Sequence, residues 1–188
     1  MQDQELLELI RRDSRNFGLL FDAYYPRIKK YILRRVMVYD VAADIASETF
    51  IKAYMKIDQF QWKGVPLTAW LYRIATNEIN MFFRKQSYSP VVYAEMMDFN
   101  KLSSINHSSQ EQERDAWQKE LKAHDDFIRV QKIISALPEK YQEVLALRYF
   151  ENKAVKEVAD ILDKKEGTVK SLLSRGIEMI RDSLGDAT

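Results

Sequence analysis

Apolar residues recur every three or four positions along most of this chain, and the places where that rhythm fails divide it into parts. The rhythm predicts amphipathic helices over about residues 4–12, 17–36, 41–57 and 67–85, with Asp40 placed to cap the third. Residues 86–113, QSYSPVVYAEMMDFNKLSSINHSSQEQE, lose the period and gather Ser, Asn, Gln and acidic side chains, the composition of a linker. Helical spacing returns over 113–136, breaks at Pro138, and resumes over 139–149 and again in EVADILDKKEGTVKSLLSRG, residues 157–176. No stretch alternates convincingly as a strand does, and no internal repeat is visible. The expected fold class is therefore all-α: two small helical domains, 1–86 and 114–188, joined by a flexible linker over 87–113.

The last segment holds two apolar stripes. Val155, Val158, Ala159, Ile161 and Leu162 form one, and Val169, Leu172, Leu173, Gly176, Ile177 and Ile180 the other, so each helix buries one face. Gly167 is expected to make the turn between them, and Thr168 to satisfy a backbone N–H at the start of the second helix. That leaves Lys170, Ser171, Ser174 and Arg175 on the open side, as in a helix-turn-helix that reads duplex DNA. Two short amphipathic helices with a turn also occur in ordinary bundles. Moreover, Lys170 and Arg175 are the only cations of the second helix before Arg181, and Arg and Lys make most contacts to guanine and phosphate. The segment alone leaves both readings open.

Composition narrows the chemistry. There is no cysteine and there are two histidines, His107 and His124, so neither a disulfide framework nor a multi-histidine metal site can be built, and no metal or other cofactor is expected. The five glycines, at 18, 64, 167, 176 and 185, are too dispersed for a phosphate loop, and no nucleophile stands with a base, so an enzyme is not expected. No apolar run approaches the roughly 20 residues that span a bilayer, and the segment MQDQELLELIRRD is acidic and amphipathic; the expectation is a cytoplasmic protein without membrane insertion. The net charge of +1 conceals an uneven distribution: Lys plus Arg against Asp plus Glu is 14 to 10 over residues 1–86, 4 to 8 over 87–126, and 11 to 10 over 127–188. A basic lobe, a negative connector and a mixed lobe permit nucleic-acid binding without demanding it.

Longer motifs decide between the readings. The stretch LPEKYQEVLALRYFENKAVKEVADILDKKEGTVKSLLSRG, residues 137–176, resembles the C-terminal domain of bacterial sigma factors. DVAADIASETFIKAY, residues 40–54, and LTAWLYRIATNEINMFFRK, residues 67–85, are similar to the second region of the extracytoplasmic-function (ECF) class of those factors. The two motifs lie in different lobes and in the family's order. The resemblance implies a sigma region 2-like domain and a region 4-like helix-turn-helix domain, with core RNA polymerase, promoter DNA and an anti-sigma factor as partners. It implies a transcription initiation factor that binds core polymerase and directs promoter recognition and melting. The alternative is a stand-alone helix-turn-helix regulator, which leaves DIASETFIKAY without a role.

Residue roles follow from the resemblance position by position. DIASETFIKAY looks like the family's surface for the clamp coiled coil of the largest polymerase subunit, with Asp44, Ser47, Glu48 and Ile51 on one side of a helix and Ile45 adjacent; Phe50 belongs to the core. In the loop IDQFQWKGVPL, the resemblance makes Phe60 a wall of the pocket for a base flipped from the downstream element, with Asn77 bonding a base edge. Trp62 reads equally as a base-stacking residue or as a lid on the core, and Lys63 beside it as a phosphate contact. Leu71 and Ile74 read as core; Trp70 and Tyr72 read as core or as DNA-reaching, and Trp70 is carried forward as a contact with the downstream element. Arg73, Arg84 and Lys85 are the phosphate contacts of the same helix. For the upstream element the set is Thr168, Lys170, Ser171, Ser174 and Arg175. The chain departs from the family at Met81–Phe82, where an Asp-Arg pair is common, at Ala154, where a capping Ser is common, and at Leu172 and Ile177, which are often basic. The missing Ser costs about 1 kcal/mol.

Overall fold

A computed structural model describes residues 3–61, 66–87, 130 and 133–185, and all regular structure among them is helical. The first unit contains α1 (Asp3–Arg12), α2 (Phe17–Val36), α3 (Tyr39–Lys56) and α4 (Leu67–Ser87), with single 3₁₀ turns at Ser14–Asn16 and Ile57–Gln59. The second contains a helical piece at 133–136, then α5 (Glu139–Leu145), α6 (Val155–Leu162) and α7 (Glu166–Gly185). The linker expected over 87–113 and the helix expected over 113–136 lie outside the described residues, except for Ser87, 130 and 133–136.

In the first unit the stripes of α2, α3 and α4 meet. Leu20, Ile28, Tyr31, Ile32, Leu71 and Tyr72 are fully enclosed, and each such apolar side chain contributes roughly 1.5–3 kcal/mol. Tyr31 packs its ring edge on Tyr72, centroids 5.1 Å apart, and its hydroxyl meets Thr76 Oγ1 at 2.9 Å, so the buried phenol is satisfied. Asp3 caps α4 from a distance: one carboxylate oxygen accepts the Leu67 N–H at 2.9 Å and the other the Tyr24 hydroxyl at 2.6 Å.

Two boundaries differ from the sequence expectation. α3 starts at Tyr39 with Val38 extended before it, and Asp40 lies in the first turn instead of capping it. The cause is packing: Met37, Val38 and Tyr39 are all buried, and Met37 turns left-handed at φ 61° to end α2 and bring them inward. Asp40 still favours the helix through the dipole at its N-terminus. In the second unit, α7 begins at Glu166, so Gly167 and Thr168 sit within its first turn and Thr168 is not the cap. The left-handed turn residue is Asp163, φ 56°, at the end of α6. Aspartate tolerates that conformation better than most residues with a Cβ, so no glycine is needed there.

The helix expected over 139–149 also ends differently. α5 gives way to a π-helical turn over Ala146–Phe150, and the Glu151 N–H reaches back to the Ala146 carbonyl at 3.1 Å. Asn152 follows at φ 52°. α7 crosses α5 at Gly176, where an added Cβ would lie 3.1 Å from Leu145 Cδ1, so the glycine allows the close approach. Ala154 offers no side-chain cap to α6; the Glu157 carboxylate accepts the Ala154 N–H at 2.8 Å and pairs with Lys153 at 3.1 Å. The backbone bond first, and Lys153 after it, hold the Glu157 carboxyl below its ordinary range.

Candidate functional site

On α3, Asp44, Ser47, Glu48 and Ile51 are exposed and share a side, whereas Ile45 is 8% exposed and belongs to the core. Period alone could not separate Ile45 from its neighbours, because it sits where the buried and open faces meet. Glu48 pairs with Lys52 at 3.3 Å, and Lys52 reaches on to Glu78 at 2.6 Å, a contact that raises the lysine above its ordinary value. Ile51 is 52% exposed and Met55 72%, with Tyr54 between them also open. Phe17 sets its ring edge-on to Tyr54, and Phe21 to Phe50, each with centroids 5.1 Å apart, which brings the start of α2 and the exposed Leu19 and Phe21 to this face. The result is an acidic strip beside an apolar patch, the composition of a docking face. The residues on α2 carry no motif and do not stand out in the sequence.

On α4, Asn77, Arg84 and Lys85 are exposed, and Trp70 and Arg73 are partly so. Phe60 is 8% exposed, its ring 4.9 Å from that of Trp70, and its carbonyl accepts a bond from Arg11 at 2.5 Å. Phe60, Trp70 and Arg73 line an opening of about 430 Å³, which Asp160 of the second unit also borders. Trp62 and Lys63 lie outside the described residues. Tyr72, for which a DNA role stayed open, is buried and donates its hydroxyl to Glu151. Burial, reinforced by Glu151, pushes that phenol far above its ordinary value, so it stays protonated, donating to Glu151 while its oxygen accepts from Arg27 at 2.9 Å.

On α7, Thr168, Lys170, Ser171, Ser174 and Arg175 are all exposed, while Val169 and Leu173 point into the core. The helix thus buries one stripe and offers a polar one, as the spacing required.

The two units are docked, which no local pattern foretold. Glu151, carried by the π turn into the first unit, accepts from Tyr72, from Arg27 at 3.5 Å and from Arg34 at 3.4 Å. Arg34 also bonds the Phe150 carbonyl at 3.1 Å, and Asn80 donates to Glu143 at 2.6 Å. Arg73 bonds the carbonyls of Asp160 and Ile161 at 2.7 and 3.1 Å and pairs with Asp163 at 3.5 Å. In sequence Glu143, Glu151 and Asp163 read as solvated charges; only the Asn152 that follows Glu151, a residue suited to a left-handed turn, marks the bend.

This architecture of two helical units, one with an acidic face beside an apolar patch and one with a helix-turn-helix, is matched by known families. Residues 20–88 match the sigma-70 region 2 model and residues 127–180 the sigma-70 region 4 model. The RNA polymerase sigma-H factor of Pseudomonas aeruginosa is 33% identical over 97% of this chain and 94% of its own length. The ECF RNA polymerase sigma factor SigW of Bacillus subtilis is 31% identical over 99% and 98%. In fold, the chain is similar to the sigma factor RpoE of Bartonella quintana, solved in complex with the anti-sigma factor NepR, with a TM-score of 0.61, 22% identity, and coverage of 91% and 98%.

The chain belongs to the ECF class of the sigma-70 family. It is a transcription initiation factor that binds core RNA polymerase and directs promoter recognition and melting. Among the described residues no helix is long and apolar enough to cross a membrane.

Proposed function

We propose that the labour is divided between the units. The first, residues 1–86, binds core polymerase and opens the downstream promoter element; the second, 114–188, reads the upstream element as duplex; residues 87–113 link them. Polymerase docks on the α3 strip of Asp44, Ser47, Glu48 and Ile51, extended by the apolar patch of Leu19, Phe21, Tyr54 and Met55. A cationic, apolar-flanked partner surface suits that face. Asn77, Arg84 and Lys85, with Arg73 and Trp70, handle the downstream strand, and Phe60 walls the opening where a flipped base stacks. Lys170, Ser171, Ser174 and Arg175 enter the major groove from α7, with Thr168 toward the backbone.

The observation that carries the proposal is the α3 face: an exposed acidic strip abutting five exposed large apolar side chains, Leu19, Phe21, Ile51, Tyr54 and Met55, of which Phe21 and Tyr54 also pack against neighbouring rings. The protein catalyses no covalent chemistry and works in the cytoplasm, where its polymerase is. A regulatory protein that covers the same faces is a further partner, because sigma factors of this fold have been solved in complex with anti-sigma factors. Gel filtration of the chain with core polymerase tests the reading. Comigration, abolished when Ile51→Glu and Met55→Glu are combined, is the expected result. Specific duplex binding by the chain alone, without any association with polymerase, would instead support a stand-alone regulator.

A further inference from the structure

α1 precedes every motif that carries the family likeness, yet its two ends reach both ends of the segment between α3 and α4. Leu6, Leu7 and Ile10 are buried and seat the helix on the core of the first unit. At its start, one Asp3 carboxylate oxygen accepts the Leu67 N–H at 2.9 Å and the other the Tyr24 hydroxyl at 2.6 Å. Burial, and then Asp3 itself, raise the Tyr24 phenol above its ordinary value, so it stays a donor to the carboxylate. Near its end, the Arg11 guanidinium donates to the Phe60 carbonyl at 2.5 Å. Both contacts involve a charged group, which makes them stronger than neutral hydrogen bonds.

Asp3 and Arg11 stand eight positions apart in one helix, so a rod of about 12 Å separates their backbones. The chain from Phe60 to Leu67, drawn out, could span roughly 25 Å, and its length therefore does not fix the spacing of its ends. Phe60 leaves the 3₁₀ turn in an extended conformation, φ −66° and ψ 118°, and its ring lies 4.9 Å from that of Trp70 with 47° between their planes. Trp70 is in the first turn of α4, where its N–H and that of Ala69 reach back to the Pro66 carbonyl at 3.3 and 2.9 Å, so wherever Leu67 is held, Trp70 follows. The two rings border the opening of about 430 Å³, with Gln59, Gln61 and Arg73 around it. One ring is thus placed through Arg11 and the other through Asp3.

We infer that α1 is a strut that sets the spacing of Phe60 and Trp70, with Asp3 and Arg11 as positioning residues for discrimination among the bases of the downstream element. The inference rests on the reading of Phe60 and Trp70 given under Proposed function. Neither Asp3 nor Arg11 has to touch DNA; each acts through the backbone of a residue that borders the opening or begins the helix beside it. A stacking pocket tells one base from another by how closely its walls fit, so a ring displaced by about an ångström loses selectivity before it loses binding.

The full chain with core polymerase is bound to forked templates that carry each base in turn along the unpaired non-template strand, and the ratio of strongest to weakest binding measures the discrimination. That ratio does not depend on how much of the chain is folded, so loss of stability alone leaves it unmoved. Arg11→Ala, at an exposed position that leaves the buried stripe of α1 intact, should lower the ratio about tenfold, and Asp3→Ala likewise. Asp3→Asn, which keeps an acceptor for the Leu67 N–H, should restore most of it. Polymerase affinity and upstream-duplex binding should match wild type. In the free chain, nuclear Overhauser contacts between the Phe60 and Trp70 rings should weaken in both alanine variants. A ratio and a ring contact both unchanged in Arg11→Ala and Asp3→Ala, with helicity intact, overturn the strut. Trp70→Ala separates the two readings: if it too keeps the wild-type ratio, the opening is not the base site and the reading under Proposed function falls. Where Trp70→Ala does lower the ratio, ring contacts that weaken in the alanine variants without any change in discrimination overturn the role given to α1.

Discussion

Reversing the charge of the α3 strip, Asp44→Lys with Glu48→Lys, separates folding from partner binding. Both side chains are exposed, and the double reversal breaks the i,i+4 pair of Glu48 with Lys52 at 3.3 Å, worth about 0.3–0.5 kcal/mol. Lys52 keeps Glu78 at 2.6 Å, and the new Lys at 48 repels it by a similar few tenths of a kcal/mol. Stability should therefore fall by about 1 kcal/mol at most. Against polymerase the arithmetic differs, because removing one partner of a desolvated, hydrogen-bonded charge pair costs about 2–5 kcal/mol. The dissociation constant should weaken by about 30-fold at the lower figure and by several thousand-fold at the upper. Anisotropy of the labelled chain titrated with core polymerase near 0.15 M salt measures this, and far-UV dichroism confirms the helices. Affinity within threefold of wild type, with helicity intact, would remove Asp44 and Glu48 from the interface.

Arg175→Ala should cost about 1–3 kcal/mol in upstream duplex binding and relax preference at one base pair, if the guanidinium reads a base edge in bidentate fashion; a loss uniform over all sequences in a binding-site selection would show that it holds phosphate instead. Gly176→Val should destabilise the chain by about 1–3 kcal/mol, because a branched side chain has only 3.1 Å to Leu145 Cδ1 and 3.6 Å to Tyr141 Cβ, and an unchanged urea midpoint would show that α7 lifts from α5 at no cost. The lowered carboxyl of Glu157 contributes stability that is present above the unfolded carboxylate value near 4.3 and is lost as pH falls through the folded value. Glu157→Gln should therefore cost about 0.5 kcal/mol at neutral pH and converge with wild type in strong acid; parallel stability curves down to about pH 3 would contradict the charged cap.

The helices themselves were legible because their apolar stripes are long and regular, as in α2 and α4, and the exposed face of α7 followed from the stripe of Val169 and Leu173. The family was legible because its motifs are contiguous. What escaped was set by contacts distant in sequence. Val38 and Tyr39 start α3 early because tertiary burial outweighs a capping aspartate, and Asp163 rather than Gly167 makes the turn because more than one residue type can take that conformation. Ile45, at the edge of a face, went inward, and Phe60 is closed in against Trp70 while it still lines the opening beside α4. The docking of the units depends on a π turn that aims Glu151 at a tyrosine 79 residues away in sequence, and no local pattern encodes that.

The central claim is that this chain lets polymerase open a promoter. It is tested most directly by permanganate reactivity of thymines on a responsive promoter, with core polymerase and the chain supplied together or singly. Thymines of the downstream element should react only when both proteins are present, and Asn77→Ala with Trp70→Ala should suppress that reactivity while leaving association with polymerase intact. A duplex that stays unreactive with both proteins bound, or that opens as well without the chain, would contradict the account.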